Sequence, residues 1–348
     1  MRIEKNIIGF REGKEIYLFE MSNDNDVSIK ITNYGATITS IITPDHKGNL
    51  EEITCGFDSV KTYFSEEYLN NNPYFGATIG RCASRIEKGT FKLEVNIYNL
   101  PENDRGNHLH GGLKGFDKKI WHATYEANKN SSCVTMKLKS YHLEQGYPGN
   151  LDIEVKFELN NVNELSISYY AETDKTTPIS LTNHTYFNLS GFKENILNHK
   201  VQIQSNHLLE LNSLGIANGN KILLNQEPED FRKEKLLGDA MKLLEKGYDH
   251  YYLFDNNFLL HKVATFFHPS NKRALDISTT EPGMQFYTGY YISDKLKREN
   301  GDRYGKFTGF CCETHRYPNT PNLDKAPKSV TYPEDPYRSQ TIFKFYTY

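Results

Sequence analysis

The chain has 348 residues, with 41 basic against 44 acidic side chains and a formal net charge of −3. That balance excludes the basic footprint of a nucleic-acid or membrane-surface binder, and no apolar run approaches the roughly 18 residues of a spanning helix. With 24 Tyr and 20 Phe against one Trp, and abundant Thr, Ile and Val, the composition is that of extended strands.

Residues 27–43 alternate on both sides of Gly35 and predict two strands with a bend, closed by a turn at Pro44–Gly48. Residues 58–70 predict a short helix capped by Asp58. In residues 74–91, Gly76 and Gly80 permit close backbone approach, and Arg81 and Arg85 lie four apart among small residues. A phosphate-loop reading fails for want of the Lys-Ser/Thr ending. An arginine in such surroundings is either paired within the fold or donates to a ligand. In Asn107-His-Leu-His-Gly-Gly112 the two histidines are two apart, so they fall on one strand face with possible metal spacing, or one is simply a surface residue. The paired glycines after His110 predict a tight loop. Alternating strands follow at 134–140, 153–159 and 165–169, the last two joined by a hairpin loop at 160–164.

The stretch 177–191 begins as a strand and then crowds Asn183, His184, Tyr186 and Asn188 together. Period two puts His184 and Tyr186 on one face. Two readings stand: one wall of a sugar site, or a core histidine satisfied by Asn183 and the Tyr186 hydroxyl. Short strands continue through 201–231. Residues 232–246 are the strongest helical segment, stopped by Gly247. Asp249 then sits in an aromatic strand, where an unpaired acid is costly to bury, unless it caps a turn. Gln285 lies between apolar residues of a strand in 279–289. Glu313 follows an apolar run, and partial desolvation there raises a carboxyl pKa and strengthens it as a base. A last alternating strand runs over 342–346. No repeat, linker or composition break appears, so residues 1–348 read as a single all-β domain, one large antiparallel β-sandwich with few short helices.

The five cysteines, Cys55, Cys82, Cys133, Cys311 and Cys312, are odd in number, scattered and include an adjacent pair. They form neither a disulfide framework nor a zinc spacing. The N-terminal residues lack the apolar core of a signal peptide. A reduced, cytoplasmic protein is expected.

Taken in order, His110, His184, Asp249, Gln285 and Glu313 make the chain resemble the aldose 1-epimerases, the galactose mutarotases, over nearly its whole length. The stretches that carry the resemblance are Gly76-Ala-Thr-Ile-Gly-Arg with Arg85-Ile, Leu109-His-Gly-Gly, Leu181-Thr-Asn-His-Thr-Tyr-Phe-Asn-Leu, Tyr248-Asp-His, Pro282-Gly-Met-Gln-Phe-Tyr-Thr-Gly and Gly309-Phe-x-x-Glu-Thr. The resemblance implies a galactose mutarotase-like supersandwich that binds a free hexose in an open cleft. It places the general base on Glu313, the general acid on His184 and a second active-site histidine on His110. It places sugar contacts on Arg85, Ser84, Tyr186, Asp249 and Gln285. Ser84 replaces the Asn common before the arginine, His315 replaces the usual Gln after Glu-Thr, and Asn319 replaces the usual Asp. No proton-transfer group is lost, so these departures bear on the shape of the pocket.

The implied reaction takes a proton from the anomeric hydroxyl, gives one to the ring oxygen, and recloses the ring on the other face. A glutamate and a histidine suit it at neutral pH, and neither a cofactor nor a metal is expected. The expected partner is a monosaccharide (galactose, glucose or both), with no nucleic acid and no membrane, and the protein is expected as a monomer or weak homodimer. Three rivals are distinct in kind. Asp249 and Glu313 would serve as the paired carboxylates of a glycosidase. His110, His184 and Glu313 are a possible metal ligand set. A non-catalytic sugar-binding module is the third, although a binder needs neither acid nor base.

Overall fold

The alternation read from the sequence becomes three large antiparallel sheets, with three two-stranded ones beside them, in a computed structural model that describes residues 1–255 and 257–348. The first sheet pairs Arg2–Arg11, Lys14–Ser22, Ser28–Thr32, Thr37–Pro44 and Leu50–Glu52 in sequence order. The bend expected at Gly35 is present, with φ of +70°, a conformation that suits glycine. The turn after Pro44 is held by Asp45, whose Oδ1 accepts the Lys47 N–H at 2.7 Å and the Asn49 N–H at 2.9 Å.

The largest sheet has nine strands. Its middle is the long hairpin Leu151–Asn160 and Glu164–Thr173, followed by the C-terminal strand Tyr337–Thr347 and then Arg273–Thr279 and His261–Phe267. Along Leu151–Asn160 every second residue is buried, which is the expected signature of a sheet with one wet face. The third sheet has six strands in the order Tyr186–Phe187, Phe310–Thr314, Gly283–Tyr287, Asp249–Leu253, His207–Leu211 and Ala217–Leu223.

All three sheets turn apolar faces onto one core, to which Phe19, Val155, Phe286 and Phe310 belong. The six-stranded sheet meets the nine-stranded one through Phe310 stacked on Phe266 at 4.4 Å between centroids and Phe187 edge-on to Phe343 at 5.2 Å. Such aromatic pairs are worth about 0.5–1.5 kcal/mol beyond their buried area. Truncating Phe310 to Ala costs about 3–5 kcal/mol.

Both expected helices are shorter than the sequence suggested. Residues 58–70 break into a 3₁₀ turn, Val60–Phe64, and a helix, Glu66–Asn71. The cap is Ser65, whose side chain accepts the Tyr68 N–H at 3.2 Å, and not Asp58, whose own N–H is taken by Glu299. Of 232–246 only Leu237–Met241 is helical. Lys235–Leu236 instead pairs as an edge strand with Lys200–Val201, and Gly238 lies so near the Leu197 carbonyl that a Cβ there would come within 2.9 Å of it. No helix among the described residues is long and apolar enough to cross a membrane.

Candidate active site

The six-stranded sheet builds the floor of the site by register alone. Tyr186 pairs with Cys311, Gln285 with Glu313, and Tyr287 with Asp249. Paired residues and residues two apart share a face, so Tyr186, Cys311, Glu313, Gln285, Tyr287 and Asp249 all point one way. Phe187, Phe310, Cys312, Phe286 and Tyr252 point the other way, into the core. Above the polar face lies a cavity of about 500 Å³ lined by all eight expected residues, Ser84, Arg85, His110, His184, Tyr186, Asp249, Gln285 and Glu313.

His184 reaches the cavity because the strand breaks there. Thr182–Asn183 pairs with Thr78–Ile79, whereas Tyr186–Phe187 pairs with Phe310–Cys311. Between them Asn183 Oδ1 accepts the Thr185 N–H at 3.1 Å, a side-chain turn that bends the chain. The ring lies 5.0 Å from that of Tyr186. Its Nδ1 is 3.4 Å from Cys311 Sγ, and its Nε2 is 3.4 Å from Glu313 Oε1. The core-histidine reading therefore fails, since Asn183 spends its amide on the Gly76 carbonyl at 2.8 Å and Nε2 faces the cavity.

His110 arrives from the opposite wall on a loop clamped by close backbone approach. A Cβ on Gly111, at φ +83°, would lie 1.8 Å from the Gly80 carbonyl oxygen. His110 itself has φ of +52°, which takes it off the face of the short strand His108–Leu109. His108 and His110 are therefore not a metal-spaced pair. His108 is sealed elsewhere, with Nδ1 on the Pro101 carbonyl and Nε2 on the Tyr147 hydroxyl, both at 2.8 Å. The backbone N–H of Ser84 donates to His110 Nδ1 at 3.1 Å, so the neutral ring carries its hydrogen on Nε2. Ser84 sits at φ +60°, a left-handed position that an Asn tolerates more readily than a Ser.

The two arginines divide the alternatives between them. Arg81 is a structural strut, fully buried, bonding the Pro148 carbonyl at 2.7 Å and Ser140 Oγ at 2.7 Å. Arg85 faces the cavity with Nε on Asp104 Oδ2 at 2.7 Å. Asp249 caps no turn: its Oδ1 accepts Gln285 Nε2–H at 2.7 Å. That bond fixes the amide so that Gln285 Oε1 is left without a hydrogen-bond partner among the described residues, as is Glu313 Oε2. Asn319 positions Arg85 from behind, its N–H on the Arg85 carbonyl at 2.8 Å and its Nδ2 on the Ala217 carbonyl at 3.1 Å. An Asp there would lack the second donor.

Burial dominates the electrostatics. It pushes the Glu313 carboxyl well above its usual range, with the Asp249 charge adding and Arg85 opposing. It pulls His184 down to about 3 and His110 well below the ordinary histidine value, the latter helped by His184 and Arg85. A strongly basic carboxylate thus lies beside an imidazole that gives up a proton readily. His110, His184 and Glu313 present donor atoms all within 4.8 Å of one another, a set that also has the chemistry to hold a cation. Residues outside the sequence reading complete the walls: Tyr74, its ring 4.8 Å from His110, Asp104, and Tyr287. Period two from Gln285 would have found Tyr287, whereas Tyr74 and Asp104 lie on loops that carry no periodic signal.

Comparison with known proteins agrees with this geometry. The sequence model of the family described as aldose 1-epimerase matches residues 17–344. The chain is 36% identical over 335 residues to a galactose mutarotase of Homo sapiens, covering 96% of this chain and 95% of that one. It is 31% identical over 342 residues to an aldose 1-epimerase of Escherichia coli K12, covering 96% of each. The crystal structure of a galactose 1-epimerase from Lactobacillus acidophilus superposes with a TM-score of 0.86 at 26% identity, covering 99% of both chains. The chain belongs to the aldose 1-epimerase family.

Proposed function

We propose that this aldose 1-epimerase interconverts the α and β anomers of free hexoses, galactose or glucose, with Glu313 as base and His184 as acid. The observation that carries the assignment is the 3.4 Å approach of His184 Nε2 to Glu313 Oε1 inside a desolvated cavity. The pair holds one proton across its 3.4 Å gap; it rests on Glu313 in the free enzyme, and the reactive form is the tautomer that carries it on His184. Glu313 removes the hydrogen of the anomeric hydroxyl as His184 protonates the ring oxygen, and the C1–O5 bond opens. The free aldehyde rotates about C1–C2. Closure on the other face returns each proton, with the roles reversed. Burial serves both steps, because it makes the carboxylate a stronger base and the imidazolium a stronger acid.

His110 supports the same reading. It is held neutral by burial with its hydrogen on Nε2, so it offers a fixed donor to the oxygen on which charge develops. Arg85, Asp249, Gln285, Tyr186 and Ser84 orient the remaining hydroxyls. We read residues 1–348 as one domain, acting as a monomer or weak homodimer in the cytoplasm. The five buried free cysteines fit a reducing compartment.

Polarimetry of freshly dissolved α-galactose and α-glucose, with and without protein in chelator, tests the proposal. Faster decay to the same final rotation is expected, and the ratio of the two rates gives the preferred sugar. No acceleration for either sugar refutes it, and acceleration that chelation abolishes replaces it with a metal-dependent site at His110, His184 and Glu313. Release of sugar from an aryl glycoside would point instead to Asp249 and Glu313 acting in hydrolysis.

A further inference from the structure

We propose that His315 is a specificity-determining residue whose unprotonated Nε2 accepts a hydrogen bond from one particular hydroxyl of the bound sugar. His315 is fully buried yet lines the same cavity, its ring packed 5.2 Å from that of Tyr251. Its Nδ1 contacts the Arg316 carbonyl. A carbonyl only accepts, so Nδ1 carries the hydrogen and the neutral ring presents a lone pair at Nε2. That atom has no hydrogen-bond partner among the described residues. Burial lowers the ring to about 4, which keeps it neutral at physiological pH.

A buried acceptor without a partner is costly, and a ligand donor that reaches it removes the cost. Glu313 Oε2 and Gln285 Oε1 are unpartnered on the same floor, so three acceptors converge on the space where hydroxyl hydrogens arrive. His110 supplies the complementary donor from the opposite wall. The glutamine usual in this family after Glu-Thr has an amide that turns either an acceptor or a donor to a ligand. The ring of His315, fixed by Arg316 and Tyr251, presents only the acceptor. This enzyme therefore demands a free hydroxyl at one ring position more strictly, and rejects analogues in which fluorine or a methoxy group replaces it.

The inference rests on the anomerisation reading and is tested apart from it. Monodeoxyfluoro derivatives of the preferred hexose are compared by kcat/KM in the native enzyme, His315→Phe and His315→Gln. At one ring position fluorine is expected to cost the native enzyme about tenfold, the scale of one buried hydrogen bond, and His315→Phe no more than about twofold. His315→Gln is expected to lie nearer the native value. Equal losses in native and Phe enzymes at every position overturn the proposal. For an unfolded Phe variant, the native protein labelled with ¹⁵N-histidine decides. The His315 Nε2 resonance is expected to move when the hexose saturates the site and to stay with the sensitive fluoro analogue. A resonance that does not move with bound hexose overturns the contact. Native enzyme that binds hexose and moves this resonance without accelerating mutarotation refutes the anomerisation reading and leaves the His315 contact standing.

Discussion

Acidification from neutral pH is expected to destabilise this protein strongly, because of histidines sealed in neutral form. His108 and His315 are lowered to about 4, His184 and His199 to about 3, and His110 well below the ordinary value, each chiefly by burial. The half-buried His250 moves the same way. An unfolded chain takes up these protons near pH 6.5 and the folded chain does not, so stability falls as pH drops below about 6.5. Three carboxyls, Glu52, Asp117 and Glu313, are raised instead, chiefly by burial, which works against this trend. The five sealed rings alone give an uptake of up to about five protons on unfolding. At about 1.4 kcal/mol per proton per pH unit, five rings set an upper bound of roughly 7 kcal/mol for each unit well below pH 6.5. Against a total of about 5–15 kcal/mol, the fold is expected to lose a large share of its stability between pH 6.5 and pH 5. Urea unfolding followed by far-ultraviolet circular dichroism, at a series of pH values from about 7 to about 5, measures this directly. Stability that stays flat across that range refutes the reasoning, because it means these rings take up protons without unfolding.

Three other outcomes follow from the site. Glu313→Gln should lower kcat by about 10²–10⁴ while sparing sugar binding. It should also raise Tm above pH 7, because ionising a carboxyl whose folded pKa lies above 4.5 costs stability as pH rises; calorimetry showing a lower Tm would contradict the assigned burial. Asp249→Asn removes the neighbouring charge that lifts Glu313, so the limb of the kcat/KM profile set by Glu313 should move to lower pH, and a shift upward would be inconsistent with that coupling. Gly111→Ala drives a Cβ to within 1.8 Å of the Gly80 carbonyl oxygen at a φ of +83°. Displacing the His110 loop by about 1 Å should cost on the order of 100-fold in kcat/KM, and native kinetics in that variant would show that the loop's position is unimportant.

Strand positions were legible where a single face decides burial. Residues 153–159, 165–169 and 342–346 alternate in sequence and in space, because a sheet with one wet face reports its own register, whereas the second strand of 27–43 is buried on both faces along most of its length. The floor of the cavity was legible for the same reason once Gln285 and Glu313 were placed on strands. The helices were not, since a serine cap seven residues beyond the expected one and an edge pairing at Lys235–Leu236 override local propensity. The supposed partnership of His108 and His110 failed at one backbone angle, the φ of +52° at His110, which no pattern of residue types announces. Arg81 and Arg85 looked equivalent among small residues. Only the carbonyls converging on one and the cavity beside the other separate a strut from a cavity-lining residue.

The two faces of the six-stranded sheet also constrain how this enzyme can diverge. Glu313, Gln285 and Tyr287 line the cavity, and Cys312 and Phe286, between them in the strands, meet the core. A single-residue insertion in either strand would exchange the two sets, sending Glu313 inward and Cys312 or Phe286 into the cleft. Changes of length are thus lethal to fold and chemistry at once, and lineages can explore new sugars only by substitution at alternate sites or by remodelling the loops that carry Tyr74, Asp104 and His110. The rim of such a scaffold is free to drift, while Glu313 and Gln285 at its floor stay locked to the register.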